Sequence, residues 1–281
     1  MAATITFTSD FGHQDTYVGV VHGVLARVAP AARVIDLTHG VPPQDVRAGA
    51  VALFSACPHF PPGTVHLAVI DPGVGTDRRP LVLRANGQWF VGPDNGLFSL
   101  IAPPESLEGC WLLDQPRYWL SPVSQTFHAR DIFAPIAAHL ANGVPAGDLG
   151  TPATPPSPQR DLQLGDVALG ETAGTVLCAD HFGNLVTNLR ATAYWHQGVE
   201  RGIVAAWIGE RALLPVRTYG DGRLVQDGGG DRPLLLLAGG SGLLEVAISN
   251  GNAARETGIG PGAPVRLLNQ QANSLNPPKG G

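Results

Sequence analysis

Four short stretches of the sequence place acidic, basic and imidazole side chains where they could do chemistry. The first is Ser9-Asp10-Phe11-Gly12-His13-Gln14-Asp15, which follows a β-branched, alternating run at 3–8. Ligands of open α/β sheets sit beyond the carboxyl ends of strands. Asp10 is therefore placed to accept hydrogen bonds from a ribose diol, and Asp15 to hold an ammonium group. The alternative is that both carboxylates only cap turns and the following helix. The second stretch is Asp71-Pro72-Gly73-Val74-Gly75-Thr76-Asp77-Arg78, directly after the apolar run VHLAVI. Pro-Gly-x-Gly makes a tight turn that can fold back, so Asp71 and Arg78 can meet across it. It is no phosphate loop, because neither GKS/T nor a full GxGxxG is present. An ordinary turn with a surface ion pair would contribute little.

The third stretch, Phe127-His128-Ala129-Arg130-Asp131, stands at an expected helix start. Asp131 can serve the helix N-terminus, and His128 lies just before it, where it could act on a substrate. The remaining histidines are scattered, with no HxxxH or HExxH spacing to mark a zinc site. The fourth, Asp180-His181-Phe182-Gly183-Asn184, is polar and aromatic within a strand-rich region. There an aromatic ring beside an amide could stack on a purine and read its edge, or the stretch is a plain β-turn. Ser249-Asn250-Gly251-Asn252 reads as another such turn. Ser241 lies in GGSGL, without the strand-to-helix context or GxSxG pattern of a nucleophile elbow.

These residues need elements to position them. Residues 3–8, 33–37 and 65–70 read as strands, and Tyr17–Val28 and 43–57 as helices. A β-α-β-α-β order argues for a parallel sheet covered by helices, and a continuous apolar run such as LAVI suits a strand buried on both faces. Asn86-Gly87 between two apolar runs predicts a hairpin. A further helix is expected over 129–142, kinked by Pro135 or starting near it. Residues 151–163 include TPATPPSPQRD, read as a stiff extended linker between an N-terminal α/β domain (1–150) and a mainly β domain (164–268). Residues 269–281 are read as a flexible tail.

Composition bounds the partners. The 281 residues are 44% apolar and 15% charged, enough to bury a core without metals or disulfides. Net charge is −5, and no basic run exceeds two residues, so the footprint of a nucleic-acid binder is missing. A small molecule, a cationic one included, fits better. Cys57, Cys110 and Cys178 are odd in number and far apart, which suits reduced thiols. MAATITFTSD has neither the basic nor the apolar region of a signal peptide, and the expectation is a cytoplasmic protein without membrane contact.

Taken together and in this order, TSDFGHQDTYVG, DPGVGTDRR, GPDNGL, TFHARDIFAP and DHFGNLVTN resemble the S-adenosyl-L-methionine hydroxide adenosyltransferase (SAM hydrolase) family, relatives of the fluorinases and chlorinases. The resemblance spans about residues 4–268. It implies an α/β N-terminal domain with a mainly parallel sheet and a smaller β-barrel-like C-terminal domain. It also implies a homotrimer with active sites between the N-terminal domain of one subunit and the C-terminal domain of the next. The implied reaction is S-adenosyl-L-methionine plus water giving adenosine and L-methionine, with no cofactor and no metal. The family's catalytic set falls on Asp71, Arg78 and His128. Asp10 matches its ribose-binding aspartate, Asp15 a position near the methionine moiety, and Asn95 lies in the GPDNGL motif. Asp180, Phe182 and Asn184 match the segment lining the adenine and methionine pockets. Ser241, Glu245 and Asn250 fall in a segment that closes over substrate in relatives. An inert nucleoside- or SAM-binding regulatory protein is the alternative from a different class.

Overall fold

The computed structural model describes residues 2–156, 159, 162–191, 203–221 and 232–269. The chain divides into two compact units, Met1–Leu162 and Gln163–Gly281.

The first unit opens with β1 (Thr4–Ser9), α1 (Tyr17–Val28), β2 (Arg33–Thr38), α2 (Val46–Ala56) and β3 (Val65–Val69). Then come β4 (Pro80–Ala85), β5 (Gln88–Pro93), β6 (Leu107–Leu112), α3 (Ala134–Ala141), α4 (Ala146–Leu149) and β7 (Thr151–Pro152). The sheet order is β2-β1-β3-β5-β4-β6-β7. Pairing is parallel from β2 through β5 and antiparallel beyond. The parallel part follows from the helical crossovers. The switch follows from the β4–β5 hairpin, where Asn86 and Gly87 both take positive φ (51° and 71°), as a two-residue hairpin turn demands.

Every residue of β3 is buried. Val65, Leu67 and Val69 face one core completed by Val21 and Leu25 of α1, Ile136 of α3 and Phe133 just before α3. Ala68 and the following Ile70 face the other way, against Leu53, Phe90 and Leu97. The strand is apolar throughout because both of its faces are covered.

The helix expected at 129–142 forms in two parts. Residues Ala129–Phe133 make a π-helical turn, and α3 follows. Pro135 has no N–H to give to the carbonyl four residues back, and that acceptor, Asp131 O, takes the Leu120 N–H instead at 2.8 Å. The widened turn sits where His128 begins the segment. Within the stretch read as a linker, Thr151–Pro152 pairs with β6, and Gln159 Nε2 donates to Asn95 O.

The second unit is β-rich, with β8 (Gly165–Asp166), β9 (Gly170–Ala179), β10 (Leu185–Arg190), β11 (Ile203–Ile208), β12 (Arg211–Ala212) and β13 (Leu214–Pro215). It continues with β14 (Leu235–Ala238), β15 (Leu243–Ala247), a short helix α5 (Ala253–Thr257) and β16 (Pro264–Asn269). The order is β12-β11-β16-β9-β10-β15-β14-β13, with β8 beside β10. Strand β9 serves both halves, pairing with β16 through Gly170–Thr175 and with β10 through its last residues. The sheet nearly closes: Leu213 N donates to Ala206 O on β11, and Leu214 N donates to Leu234 O beside β14. Val176, Leu189, Leu236, Leu244 and Val265 fill the interior of this barrel-like sheet. The expected tail lies outside the described residues, except that Asn269 ends β16. Among the described residues, no helix is long and apolar enough to cross a membrane.

Candidate active site

Asp10 follows the carboxyl end of β1, and Asp71 follows Ile70 at the end of β3. In a parallel sheet the ends of adjacent strands lie on one edge, so both carboxylates border the same cavity of about 410 Å³. Its walls include Tyr17, Val74, Phe127, His128 and Ala129.

The turn after Asp71 folds back as its glycines allow. Gly75 has φ of +77°, and a Cβ there would stand 2.5 Å from Gln125 O. Only glycine lets this loop press so close to the segment leading to His128. The fold-back returns Arg78 to Asp71. Arg78 Nε donates to Asp71 Oδ1 (2.9 Å) and Oδ2 (3.0 Å), and Nη2 donates to Oδ2 (2.6 Å). The side chains are 8% and 6% exposed, so this is a buried pair rather than a surface one. The guanidinium also lies over the Phe133 ring, 5.1 Å from its centre.

Arg78 Nη2 is 2.7 Å from His128 Nδ1. Arginine only donates hydrogen bonds, so Nδ1 must be the acceptor and the imidazole proton sits on Nε2. Burial, and then the Arg78 charge, hold the His128 pKa below its ordinary value against the pull of Asp71 and Asp131. The imidazole is neutral at neutral pH.

Asp131 lies in the first turn of the π-helical segment, where a carboxylate suits the helix N-terminus. It is buried, and its Oδ2 accepts from Ser124 N, while Arg130 binds both of its oxygens. Burial opposes its ionisation, but Arg130 and the Ser124 N–H outweigh that and keep its carboxyl below the usual range. It thereby ties down the loop that precedes His128. Asp10 Oδ2 accepts from Gln44 N at 2.7 Å, which fixes the carboxylate at the cavity wall.

Two other expected residues lie elsewhere. Asp15 is exposed and is not among the residues lining the cavity. Asn95 turns its amide inward, donating to Ile70 O at 2.8 Å and accepting from Leu97 N. It thus steadies the backbone immediately before Asp71.

In the second unit, Asp180 organises a tight turn. Its Oδ1 accepts from Phe182 N and Asn184 N, and its Oδ2 accepts from Asn184 Nδ2. Phe182 is left 71% exposed at the tip, while Asn184 is buried. Glu245, on β15, is buried and accepts a hydrogen bond from Tyr219 Oη. Burial and the Asp180 charge raise the Glu245 pKa, outweighing the Tyr219 bond. Ser241 Oγ accepts from Leu243 N within a turn, and Asn250 has a positive φ of 51° and accepts from Arg232 through its carbonyl. Tyr17 and Tyr219 escaped sequence reasoning, and Phe127 was named only as part of the stretch around His128. Tyr17 stands inside the DTYVG run, but nothing local marks Tyr219.

Family models for the SAM hydroxide adenosyltransferase N-terminal and C-terminal domains match residues 5–150 and 174–266. The chain belongs to the SAM hydroxide adenosyltransferase family. An (R)-S-adenosyl-L-methionine hydrolase of Thermus thermophilus is 44% identical over 274 residues, covering 94% of this chain and 99% of the relative. One from Salinispora arenicola is 42% identical, with 95% and 99% covered. A fluorinase of Nocardia brasiliensis is more distant, at 29% identity over 70% of this chain and 75% of that one. A crystal structure of a conserved Thermotoga maritima protein superposes with a TM-score of 0.81 at 31% identity, covering 94% of this chain and 99% of that one. The fold of this family member is thus the α/β-plus-barrel arrangement expected from its motifs.

Proposed function

We infer that this protein is an S-adenosyl-L-methionine hydrolase that forms adenosine and L-methionine by attack of water on the ribose C5′. The observation that carries the reading is the Asp71–Arg78–His128 chain of hydrogen bonds at the wall of a cavity that also holds Asp10.

The chemistry follows from what each group can still do. The substrate sulfonium is already a good leaving group. The C5′–S bond breaks with its electron pair going to sulfur, and methionine departs as a neutral thioether. What remains is to place water in line behind C5′ and take its proton, and positioning supplies much of the acceleration. Arg78 cannot accept a proton, and His128 Nδ1 is occupied by Arg78. Asp71 Oδ1 accepts a single bond from Arg78 and keeps a lone pair for the water. We assign Asp71 as the group that receives the proton, Arg78 as the clamp that aims it, and His128 Nε2–H as a donor to the attacking oxygen. Asp10 holds the ribose hydroxyls.

The cationic substrate suits a site rich in carboxylates. Asp15, Asp180, Phe182, Asn184, Ser241, Glu245 and Asn250 complete the methionine and adenine recognition in this reading, with Asn95 acting through the Asp71 loop. We extend the proposal to a homotrimer in which the N-terminal unit of one subunit joins the C-terminal unit of the next. Light scattering should give three chains per particle, and a fully active monomer would refute that part. Three free, buried cysteines support a reducing, cytoplasmic location.

The test is incubation of purified protein with S-adenosyl-L-methionine and chromatography of the products. Adenosine and methionine in equal amounts are expected. Recovery of unchanged substrate from a protein that binds it would instead identify an inert SAM-binding protein.

A further inference from the structure

No local spacing in the sequence pairs its histidines, but the fold brings two of them to one carboxylate. His22 lies on α1, Asp36 on β2, and His39 just past the end of β2. His22 Nε2 stands 2.8 Å from Asp36 Oδ1 and 3.1 Å from Oδ2, and His39 Nε2 stands 3.1 Å from the same Oδ1. One ligand atom from each residue lies within 4.8 Å of the others.

His39 gives the cluster its meaning. Its side chain is 0% exposed, and the one contact of Nε2 among the described residues is a poorly aligned 3.1 Å approach to Asp36 Oδ1. Buried polar atoms are ordinarily matched by well-aligned partners, and a bound cation would supply one here. The ring's other nitrogen, Nδ1, is 2.7 Å from Ser9 Oγ. A metal-bound imidazole is typically held through its second nitrogen in this way, which sets the tautomer and the ring orientation. Ser9 Oγ can either donate to or accept from Nδ1; a cation bound at Nε2 would select the tautomer in which Nδ1–H is given to Ser9 and the Nε2 lone pair faces the cluster.

The spacing also fits an ion. Bonds of about 2.1 Å in a tetrahedral zinc site put neighbouring ligand atoms about 3.4 Å apart. The 2.8 and 3.1 Å separations need to open by about 0.6 and 0.3 Å, and the two imidazole nitrogens already lie within 4.8 Å of each other. His22 and Asp36 are 35% and 38% exposed, so an ion can enter from solvent and keep water in its remaining position. The ring centre of His13, 5.2 Å from that of His39, lies close to the cluster.

We propose that His22, Asp36 and His39 form a binding site for a divalent transition metal of the zinc type. The ion fastens α1 to β2 and braces the loop bearing Asp10, because Gly12 N donates to His39 O and Ser9 meets His39 Nδ1. None of the three ligands lines the catalytic cavity, so the metal stabilises the fold and takes no part in the hydrolysis. The proposal stands apart from the assignment of the reaction.

The experiment is a Zn²⁺ titration of chelator-treated, dialysed protein, followed by calorimetry and by Tm, with Co²⁺ absorption as a second probe. One equivalent should bind at micromolar concentration or tighter, with a rise in Tm and with d–d bands of low-coordinate Co²⁺. His22→Ala changes a partly exposed side chain on a helix, and its metal-free Tm reports whether the fold is intact. It should weaken Zn²⁺ binding at least about 100-fold and abolish both the Tm rise and the Co²⁺ bands. Ser9→Ala should weaken binding about 10-fold or more, as loss of an outer-shell partner does. Binding no tighter than millimolar, or tight binding that persists in His22→Ala, would overturn the proposal.

Discussion

The cavity of the first unit and the Asp180 turn of the second use their charges in opposite ways. In the cavity, ionisable side chains bond to one another: Asp71 to Arg78, and Arg78 to His128. Asp180 instead gives its oxygens to two backbone N–H groups and one amide within four residues. Side chains that bond to each other can redistribute a proton when a substrate arrives. A carboxylate tied to its own backbone fixes a shape, here one that lifts Phe182 to an exposed tip. On the proposed function, the first region reacts and the second recognises.

The largest effect should come from breaking the reactive side. Asp71→Asn should lower kcat at least about 10²-fold, while S-adenosyl-L-methionine binding measured by calorimetry stays within a few-fold. Arg78→Ala should slow the same step, and the double variant should lose far less than the product of the two single losses. A fully active Asp71→Asn protein would reduce Asp71 to a turn residue.

Damage to the recognising side should look different. Asp180→Ala leaves the Phe182 and Asn184 N–H groups without their acceptor, and Asn184 is buried. The expected cost is about 1–3 kcal/mol of stability in urea denaturation. KM should rise more than kcat falls. A kcat loss as large as that of Asp71→Asn, with KM unchanged, would erase the distinction between the regions.

A smaller effect sharpens the comparison through pH. Burial and the nearby Asp180 raise the Glu245 pKa in the folded protein, so the folded state holds this proton more tightly than the unfolded chain does. The resulting stabilisation is complete below the unfolded value of about 4.3 and is lost as pH rises through the folded value. In a Glu245→Gln variant the amide oxygen would still accept from Tyr219, but the side chain would not titrate. The Tm of that variant minus that of the parent should therefore grow more positive from about pH 4.3 upward, then level off. A difference that shrinks over that range would contradict the placement of Glu245.

What the sequence made legible was what is local. The meeting of Asp71 and Arg78 could be anticipated because a Pro-Gly-x-Gly turn after a strand has few ways to fold. The Asn86-Gly87 hairpin was legible for the same reason. At Pro135 the missing donor signalled a break, but not that Leu120 would take the freed carbonyl and leave a π-turn beside His128. Asp131 stands in the first turn of the helical segment, as expected, but the anchoring of the loop at Ser124 by its carboxylate is a contact set by tertiary packing. Asn95 was singled out through a motif, yet its amide supports Ile70 rather than lining the cavity. The Tyr219–Glu245 bond spans 26 residues and the His22–Asp36–His39 cluster three separate elements, so neither leaves a local pattern.

The central claim is that water attacks C5′ under the control of Asp71, Arg78 and His128. Turnover of S-adenosyl-L-methionine in ¹⁸O-water, followed by mass spectrometry of both products, tests it directly. The account predicts adenosine carrying the label on its 5′ oxygen and unlabelled methionine. Label in methionine, or unlabelled adenosine, would contradict it.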